Sequence, residues 1–417
     1  MAGVSDKARF YLERAAPELR DFEEKEIFSK DEIRSLVTKR SDYEHLILSP
    51  GTKPSDFLSY VAWERSLDRL RAKRCRRLKI RNSSSSSSSH ASQARTFGIF
   101  ERAVTKHPGS IPLWRAYLDF AAEVKATKRW RRICTRALRL HPTEPGLWAM
   151  AGRRAAQSGD MERARAHFLR GCRFCVGGEG GTLWVEYARC EMEWLGRVEA
   201  KKSGKGVRKG VDPLEAIKAT EAVQEGDIVM FDEEDEESGE EGELVLPDPD
   251  VQGQGAKARP KVFDDGTTKK MEQSPALSGA IPMAIFDIAR KQPFFGPAAA
   301  EKFFDVFAGF SNVSSQERIV EHVLEAMKEL FPNHPCTCSC QIRRPLIGVD
   351  VMTAAFPKAL RESLARLNDG MERTDDKKAL ASKMVAWIDM ILETEGLDAA
   401  IKTVLEHTKR SLEEATG

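Results

Sequence analysis

Tryptophan recurs in this chain at a nearly constant interval, and that recurrence restricts the possible fold more than any other feature. Trp114, Trp148 and Trp184 follow one another at intervals of about 35 residues. A tyrosine stands three positions after two of them, as Tyr117 and Tyr187. A period of this length predicts a repeat protein, in which each repeat is one supersecondary unit stacked on the next.

An earlier copy of the aromatic pattern consists of Phe57, Tyr60 and Trp63. Seven consecutive serines at residues 83–89 explain its greater distance from Trp114. Because serine buries too little apolar surface to offset the entropy lost on ordering, we expect this run to be a disordered insertion.

Small residues that follow an arginine form a second register with the same period. Ala103, Ala137 and Gly171 are evenly spaced, and the interval equals the one from Trp114 to Trp148. His107-Pro108 and His141-Pro142 then end the first two copies at that same spacing. Two independent registers with one period indicate that the repeat is real.

Each repeat is predicted to be a pair of helices. In the first helix, Trp114, Tyr117, Leu118 and Ala121 fall at i, i+3, i+4 and i+7, which makes one apolar stripe. The small residue of the second helix lets its partner approach closely, and proline ends that helix. One pair cannot bury both of its faces, so the pairs are expected to stack into an all-α solenoid.

The repeat also resembles a known type. A period of about 34 residues fits the tetratricopeptide repeat, but the order Trp-x-x-Tyr, Arg-Ala and Pro more closely resembles the half-a-tetratricopeptide (HAT) repeat of RNA-processing assemblies. The predicted repeat-core residues are Phe57, Tyr60, Trp63, Trp114, Tyr117, Trp148, Trp184, Tyr187, Ala103, Ala137 and Gly171.

Composition divides the chain into four parts. Residues 1–50 form an N-terminal helical segment, and residues 51–200 contain the HAT repeats. Residues 225–275 are predicted to be an acidic disordered linker, since nine of the twelve residues from Asp232 to Glu243 are acidic. Residues 276–417 return to helical patterning and are predicted to form divergent HAT-like repeats.

The strongest charged feature is a basic segment at the end of the first HAT-like helix. Eight cations in thirteen residues are candidates for binding RNA phosphates or a protein partner, or for a nuclear localisation signal. A solvated helix end is an equal alternative, because cations also favour the helix macrodipole there. No aromatic residues are interleaved, so base stacking is not predicted. The candidates are Arg69, Arg71, Lys73, Arg74, Arg76, Arg77, Lys79 and Arg81.

Cysteine spacing favours buried thiols over a metal site. Cys172 and Cys175 have metal-like spacing, but no second pair matches them. Cys336, Cys338 and Cys340 alternate with other residues, whereas zinc sites usually need larger loops between ligands. We therefore expect no metal, although ligation by these three thiols stays open.

Several functional classes are disfavoured. The chain has no run of about 20 apolar residues that would span a membrane, and its charged N-terminus does not read as a secretory signal. The sequence contains no phosphate-binding loop, nucleophile elbow or His-Glu-x-x-His motif. We therefore expect an intracellular protein that is not an enzyme and has no cofactor, membrane partner or small-molecule substrate.

The residues before the repeats indicate which kind of repeat protein this is. They are Pro17-Glu18-Leu19, then Phe28-Ser-Lys-Asp-Glu-Ile33, then Lys39-Arg-Ser-Asp-Tyr-Glu44, then Asp56-Phe-Leu-x-Tyr-x-x-Trp-Glu64. This series resembles the N-terminal segment of the U3 small nucleolar RNA-associated protein 6 family. The similarity covers about residues 10–195.

The resemblance implies a HAT-repeat scaffold of the UtpB subcomplex of the small-subunit processome, located in the nucleus and nucleolus. Its expected partners are the other UtpB subunits, including β-propeller proteins, together with the small nucleolar ribonucleoprotein and precursor ribosomal RNA. Two alternatives stay open: a HAT-repeat scaffold of pre-mRNA splicing or 3′-end processing, and a direct RNA-binding module.

Overall fold

The structure is helical throughout the part of the chain that it describes. This computed structural model describes residues 4–80, 82–176, 180–202, 279–394 and 396–414. Every regular element within these ranges is a helix, which confirms the all-α class. The chain divides into two compact units, Met1–Leu183 and Trp184–Gly417. The predicted acidic linker, residues 225–275, lies outside the described residues.

The helices of the first unit follow one another with short connections, and the last of them crosses into the second unit. They are α1 (Val4–Glu13), α2 (Ala16–Glu24), α3 (Lys30–Leu48), α4 (Pro54–Arg77), α5 (Asn82–Lys106), α6 (Ile111–Glu123), α7 (Thr127–Leu140), α8 (Pro145–Gln157), α9 (Met161–Phe174) and α10 (Gly180–Lys202).

Local sequence explains where α3 and α4 begin. The side chain of Ser29 accepts a hydrogen bond from the Glu32 amide at 3.3 Å, and the Glu32 carboxylate accepts one from the Ser29 amide at 2.9 Å. This reciprocal capping satisfies two amides at the start of α3. Pro54 begins α4, where its fixed φ suits the first helical turn.

Packed pairs are the building unit of the first unit: α4 packs on α5, α6 on α7, and α8 on α9. The two recurring tryptophans of this unit hold the turns between pairs. The indole nitrogen of Trp114 donates to the Pro108 carbonyl, and that of Trp148 to the Pro142 carbonyl, both at 2.8 Å. Each indole therefore packs apolar surface and also satisfies a turn carbonyl.

The helices α8 and α9 approach each other closely at two glycines. A Cβ atom at Gly171 would lie 2.6 Å from the Trp148 ring and 2.7 Å from Leu183, and one at Gly152 would lie 2.4 Å from the Phe168 ring. The close packing thus depends on the missing side chain at both positions.

The serine run, residues 83–89, falls in the first turns of α5, which begins at Asn82. The disorder expected of this run stays a prediction. Serine has an intermediate helix propensity. A helix that is already nucleated by packed residues downstream can extend through such residues, because adding a residue is far easier than starting a helix.

The described part of the second unit is also built of helices. It includes one short 3-10 helix, Arg344–Leu346, which directly follows the helix Pro335–Arg343. After the C-terminal part of α10, its described helices are α11 (Ala280–Ala289), α12 (Pro297–Ala308), α13 (Gln316–Leu330), α14 (Pro335–Arg343), α15 (Phe356–Arg373), α16 (Lys377–Leu392) and α17 (Ala399–Glu414).

One turn of the second unit repeats the local geometry of a turn in the first. Leu140-His-Pro-Thr-Glu-Pro145 joins α7 to α8, and Leu330-Phe-Pro-Asn-His-Pro335 joins α13 to α14. The residue after the first helix has φ and ψ of −128° and 63° in one turn and of −140° and 60° in the other. Its amide donates to the carbonyl four residues back at 2.9 Å in both. Cys338 consequently occupies the register position of Trp148.

The close approach of α8 and α9 yields a stability prediction. Gly171→Ala should lower the free energy of unfolding by about 1–3 kcal/mol, because the added methyl overlaps Trp148 and Leu183. Gly98→Ala is the matched control, since that helical glycine is exposed and has open space around it. The control should gain up to about 1 kcal/mol through helix propensity. Urea denaturation followed by circular dichroism measures both, and equal stability of the two variants would contradict this packing.

Candidate functional site

A buried cluster of charges joins the N-terminal segment to the first helix pair. Arg40 of α3 donates to Glu64 of α4 through Nε at 2.8 Å and Nη2 at 3.2 Å. Its Nη2 also reaches Glu18 of α2 at 3.4 Å. The side chains of Arg40 and Glu64 are only 2% and 0% exposed. The pair is therefore an interior ion pair, whose charges cost much to leave unpaired.

A second arginine completes this cluster from α5. Arg95 donates to Glu64 at 3.2 Å and also pairs with Glu18. Burial lowers the pKa of Arg95, but Glu64 and Glu18 more than offset that effect, so its pKa lies above the ordinary value. Four helices thus meet at two arginines and two glutamates.

A neighbouring cluster is centred on Glu44 of α3. Arg102 of α5 donates to both of its carboxylate oxygens, at 2.7 and 2.9 Å, and the Tyr60 hydroxyl donates to it at 3.0 Å. Burial, followed by the charges of Glu64 and Glu44, raises the pKa of Tyr60 above its ordinary value. The Tyr43 ring stacks on Tyr60 with centroids 4.9 Å apart. The hydroxyl therefore stays protonated and serves as a donor to Glu44.

Two of the predicted basic residues, Arg71 and Arg74, are paired with carboxylates of the protein itself. Arg71 is buried and pairs with Asp68 at 2.8 Å. Arg74 donates to both carboxylate oxygens of Glu32 at 2.7 Å, and its guanidinium lies 4.6 Å from the centroid of the Phe28 ring. The Arg71 pair lies within α4, whereas Arg74 joins α4 to the start of α3.

The pairing with Arg74 stabilises the ionised form of Glu32 in the folded protein. Hydrogen bonds from the Arg74 side chain and then from the Ser29 amide lower the pKa of Glu32 to about 2. A carboxyl with a depressed folded pKa stabilises the protein above its ordinary pKa of 4.5. That stabilisation is lost as the pH falls towards 2.

The other described members of the predicted basic segment lie on the surface. Arg69, Lys73, Arg76, Arg77 and Lys79 are exposed, whereas Arg81 lies outside the described residues. The first four are separated by i, i+4, i+7 and i+8, so they form one stripe along α4. We call these four residues the basic stripe. They lie opposite the buried face of α4, which includes Glu64, Leu67, Arg71 and Cys75.

The predicted repeat-core residues lie in the interior, except that Trp63 is half-buried. The buried ones are Phe57, Tyr60, Ala103, Trp114, Tyr117, Ala137, Trp148, Gly171, Trp184 and Tyr187.

All eight cysteines are buried free thiols. Burial raises the pKa of Cys172 to about 12 and that of Cys336 to about 11, and it also raises the pKa of Cys338 and Cys340. A high pKa disfavours the thiolate, which is the form that binds metals. Among the described residues, no three histidine, cysteine or acidic side chains are placed to share a metal ion.

The buried charges were missed by reading the sequence, although a signal was present. Phe57, Tyr60, Val61 and Glu64 fall at i, i+3, i+4 and i+7, so a carboxylate lies on the apolar face of α4. A charge on a buried face requires a partner, and Arg40 lies on α3 among apolar residues in the same way. Within the described ranges, no helix is long and apolar enough to cross a bilayer.

Over the described residues, these features define an all-helical arrangement of packed helix pairs, with an N-terminal segment joined to the first described pair by buried ion pairs. Residues 12–96 match the sequence model of a family described as U3 small nucleolar RNA-associated protein 6. This range includes α2, α3 and α4, as well as Glu18, Arg40, Glu44, Glu64 and Arg95.

Three relatives agree with that match. The U3 small nucleolar RNA-associated protein 6 of Schizosaccharomyces pombe is 33% identical over 199 residues, which are 48% of this chain and 40% of that protein. The human homolog is 30% identical over 195 residues, which are 46% of this chain and 32% of that protein. The Dictyostelium discoideum homolog is 22% identical over 388 residues, 88% and 57% of the two chains.

The N-terminal part of the chain is therefore similar to U3 small nucleolar RNA-associated protein 6. The two more similar relatives match just under half of the chain, while the Dictyostelium relative matches most of its length. The matched part of the chain covers less than two thirds of the length of each of these relatives.

The buried cluster predicts a large difference between two arginines of α3. Arg40→Ala should lower the free energy of unfolding by about 3–5 kcal/mol, because the substitution leaves Glu18 and Glu64 buried with one cation fewer. Arg34→Ala is the control, since Arg34 and its partner Asp31 are 79% and 89% exposed, and it should cost less than about 1 kcal/mol.

Urea denaturation measures both variants. Arg40→Met combined with Glu64→Gln should recover part of the loss, because a charge is removed on each side of the pair. Small and equal effects of Arg40→Ala and Arg34→Ala would show that the cluster contributes little.

Proposed function

We propose that this chain is a non-catalytic scaffold subunit of the small-subunit processome, which acts with the U3 small nucleolar ribonucleoprotein in ribosome biogenesis. The similarity of the N-terminal part of the chain to U3 small nucleolar RNA-associated protein 6 supports this role. The proposed action is in precursor ribosomal RNA processing towards the small-subunit RNA, and the corresponding location is the nucleolus within the nucleus.

The observation that carries the proposal is the position of the buried charges within the matched segment. Residues 12–96 include the cluster of Glu18, Arg40, Glu64 and Arg95, which ties α2, α3, α4 and α5 together. Buried ion pairs are costly unless their geometry is right, so they select one arrangement of these helices. A surface that is organised before binding loses less entropy when a partner docks, as a scaffold requires.

The proposed architecture is a solenoid of HAT helix pairs. The recurring tryptophans, the packed pairs of the first unit and the repeated indole-to-proline hydrogen bonds support it. The turn shared by α7–α8 and α13–α14 supports divergent repeats of the same type in the second unit. Stacked pairs present extended surfaces to partners. The proposed partners are the other UtpB subunits, among them β-propeller proteins.

Splicing and 3′-end processing scaffolds share the repeat, so the test must distinguish the assemblies. Tagged full-length chain is purified from cells, its proteins are identified by mass spectrometry and its RNA by reverse transcription. We expect recovery of U3 small nucleolar RNA together with β-propeller subunits of the processome. Recovery of spliceosomal proteins and RNAs alone would contradict the proposal.

Two variants test whether the buried cluster is needed for this association. Arg40→Ala should reduce recovery of the U3 RNA strongly, because it disrupts the buried cluster of the matched segment. Arg34→Ala, which changes an exposed pair in the same helix, should leave the recovery unchanged.

A further inference from the structure

The basic stripe on α4 is a continuous row of cations on an exposed helix face. Arg69, Lys73, Arg76 and Arg77 are all exposed, and the row spans about 12 Å at 1.5 Å per residue. The opposite face of α4 is fixed by the buried charges and by Arg71 and Arg74, so the stripe is held outward by a rigid helix.

Nearby carboxylates do not neutralise the stripe, because other arginines already hold them. Asp68 pairs with Arg71 at 2.8 Å, Glu32 pairs with Arg74 at 2.7 Å, and Glu123 pairs with Arg65. Within the described ranges, none of the four stripe residues has an ion-pair partner. Their charges therefore remain available to an external anion.

The surrounding sequence strengthens the positive potential. Residues 54–176 contain 26 lysines and arginines against 9 aspartates and glutamates, a formal excess of +17. The helix α7 alone carries six cations and no carboxylate. An excess of this size attracts polyanions over a distance of about 10 Å at moderate salt.

A polar groove adjoins the start of the stripe. It has a volume of about 230 Å³ and lies between α4, α5 and the end of α6. Arg65 and Arg69 line it together with Ser92, Gln93 and Thr96. Phe120 and Val124 also line it, as do Asp68 and Glu123, which are each paired with an arginine. Arginine, serine, threonine and glutamine are the side chains that commonly contact phosphate and sugar oxygens.

We infer that the basic stripe and this groove bind the sugar-phosphate backbone of double-helical RNA without reading its sequence. Duplex RNA is recognised largely through its shape, phosphates and 2′-hydroxyl groups, which requires cations and polar groups but no stacking platform. Protein interfaces instead depend on buried aromatic anchors, and no aromatic residue lies between Arg69 and Lys79. The inference rests on the proposed function and deepens it by assigning direct RNA contact to one helix face.

Salt-dependent binding tests the inference on the full chain. The probe is a blunt RNA duplex of about 16 base pairs of mixed sequence, and its affinity is measured by fluorescence anisotropy between about 50 and 200 mM salt. Lys73→Gln/Arg76→Gln/Arg77→Gln should weaken binding at least about tenfold at the lower salt concentration. It should also reduce the slope of log affinity against log salt by about one for each phosphate that is no longer neutralised.

Matched variants separate the stripe from charge in general. Lys358→Gln/Arg361→Gln/Lys402→Gln removes three exposed cations from the second unit and should leave both affinity and slope unchanged. Arg76→Lys/Arg77→Lys should retain the slope, because lysine also pairs with phosphate as a point charge.

Three results would overturn the inference: unchanged binding by the stripe variant, equal losses in both glutamine triples, or a polyglutamate peptide that binds as tightly as the duplex. The last result would indicate an acidic protein partner. The proposed function and this inference can fail independently. If the stripe binds duplex RNA but the purified complexes lack the U3 RNA, the proposed function is wrong. If the complexes contain the U3 RNA but the stripe does not bind duplex RNA, only the inference is wrong.

Discussion

The ion pair between Arg40 and Glu64 is the interaction on which the first unit depends most. Both side chains are almost fully buried, and they belong to different helices, α3 and α4. Glu18 and Arg95 extend the pair to α2 and α5. Apolar packing tolerates small rotations and shifts between helices, whereas a buried charge that moves away from its partner is strongly destabilised. The cluster therefore fixes how the N-terminal segment meets the first helix pair.

The same constraint determines what α4 presents to solvent. With Glu64, Leu67, Arg71 and Cys75 turned inward, the cations at 69, 73, 76 and 77 must face outward. The arginines of this helix consequently have two roles, which only the structure separates. Arg71 and Arg74 pair with the partly exposed carboxylates of Asp68 and Glu32, so these carboxylates do not pair with the stripe.

The helical class and the paired helices followed from the spacing of Trp114 and Trp148, since a period of about 34 residues suits a helix pair. The hydrogen bonds from the indole nitrogens to the proline carbonyls could not be predicted from the sequence. The spacing shows that a tryptophan recurs, but it does not show which polar group the indole contacts. Cys338 conceals the repeated turn of the second unit, because it stands at the register position of tryptophan.

We infer that the N-terminal helices and the first helix pair form one cooperative body through the buried charges. Native-state hydrogen exchange tests it on the full chain, by comparing amides of α3 and α4 in the wild-type protein and in the Glu64→Gln variant. The two helices should be protected with the same free energy in the wild-type protein, and the substitution should lower both by equal amounts. Loss of protection in α3 while α4 remains fully protected would contradict the claim.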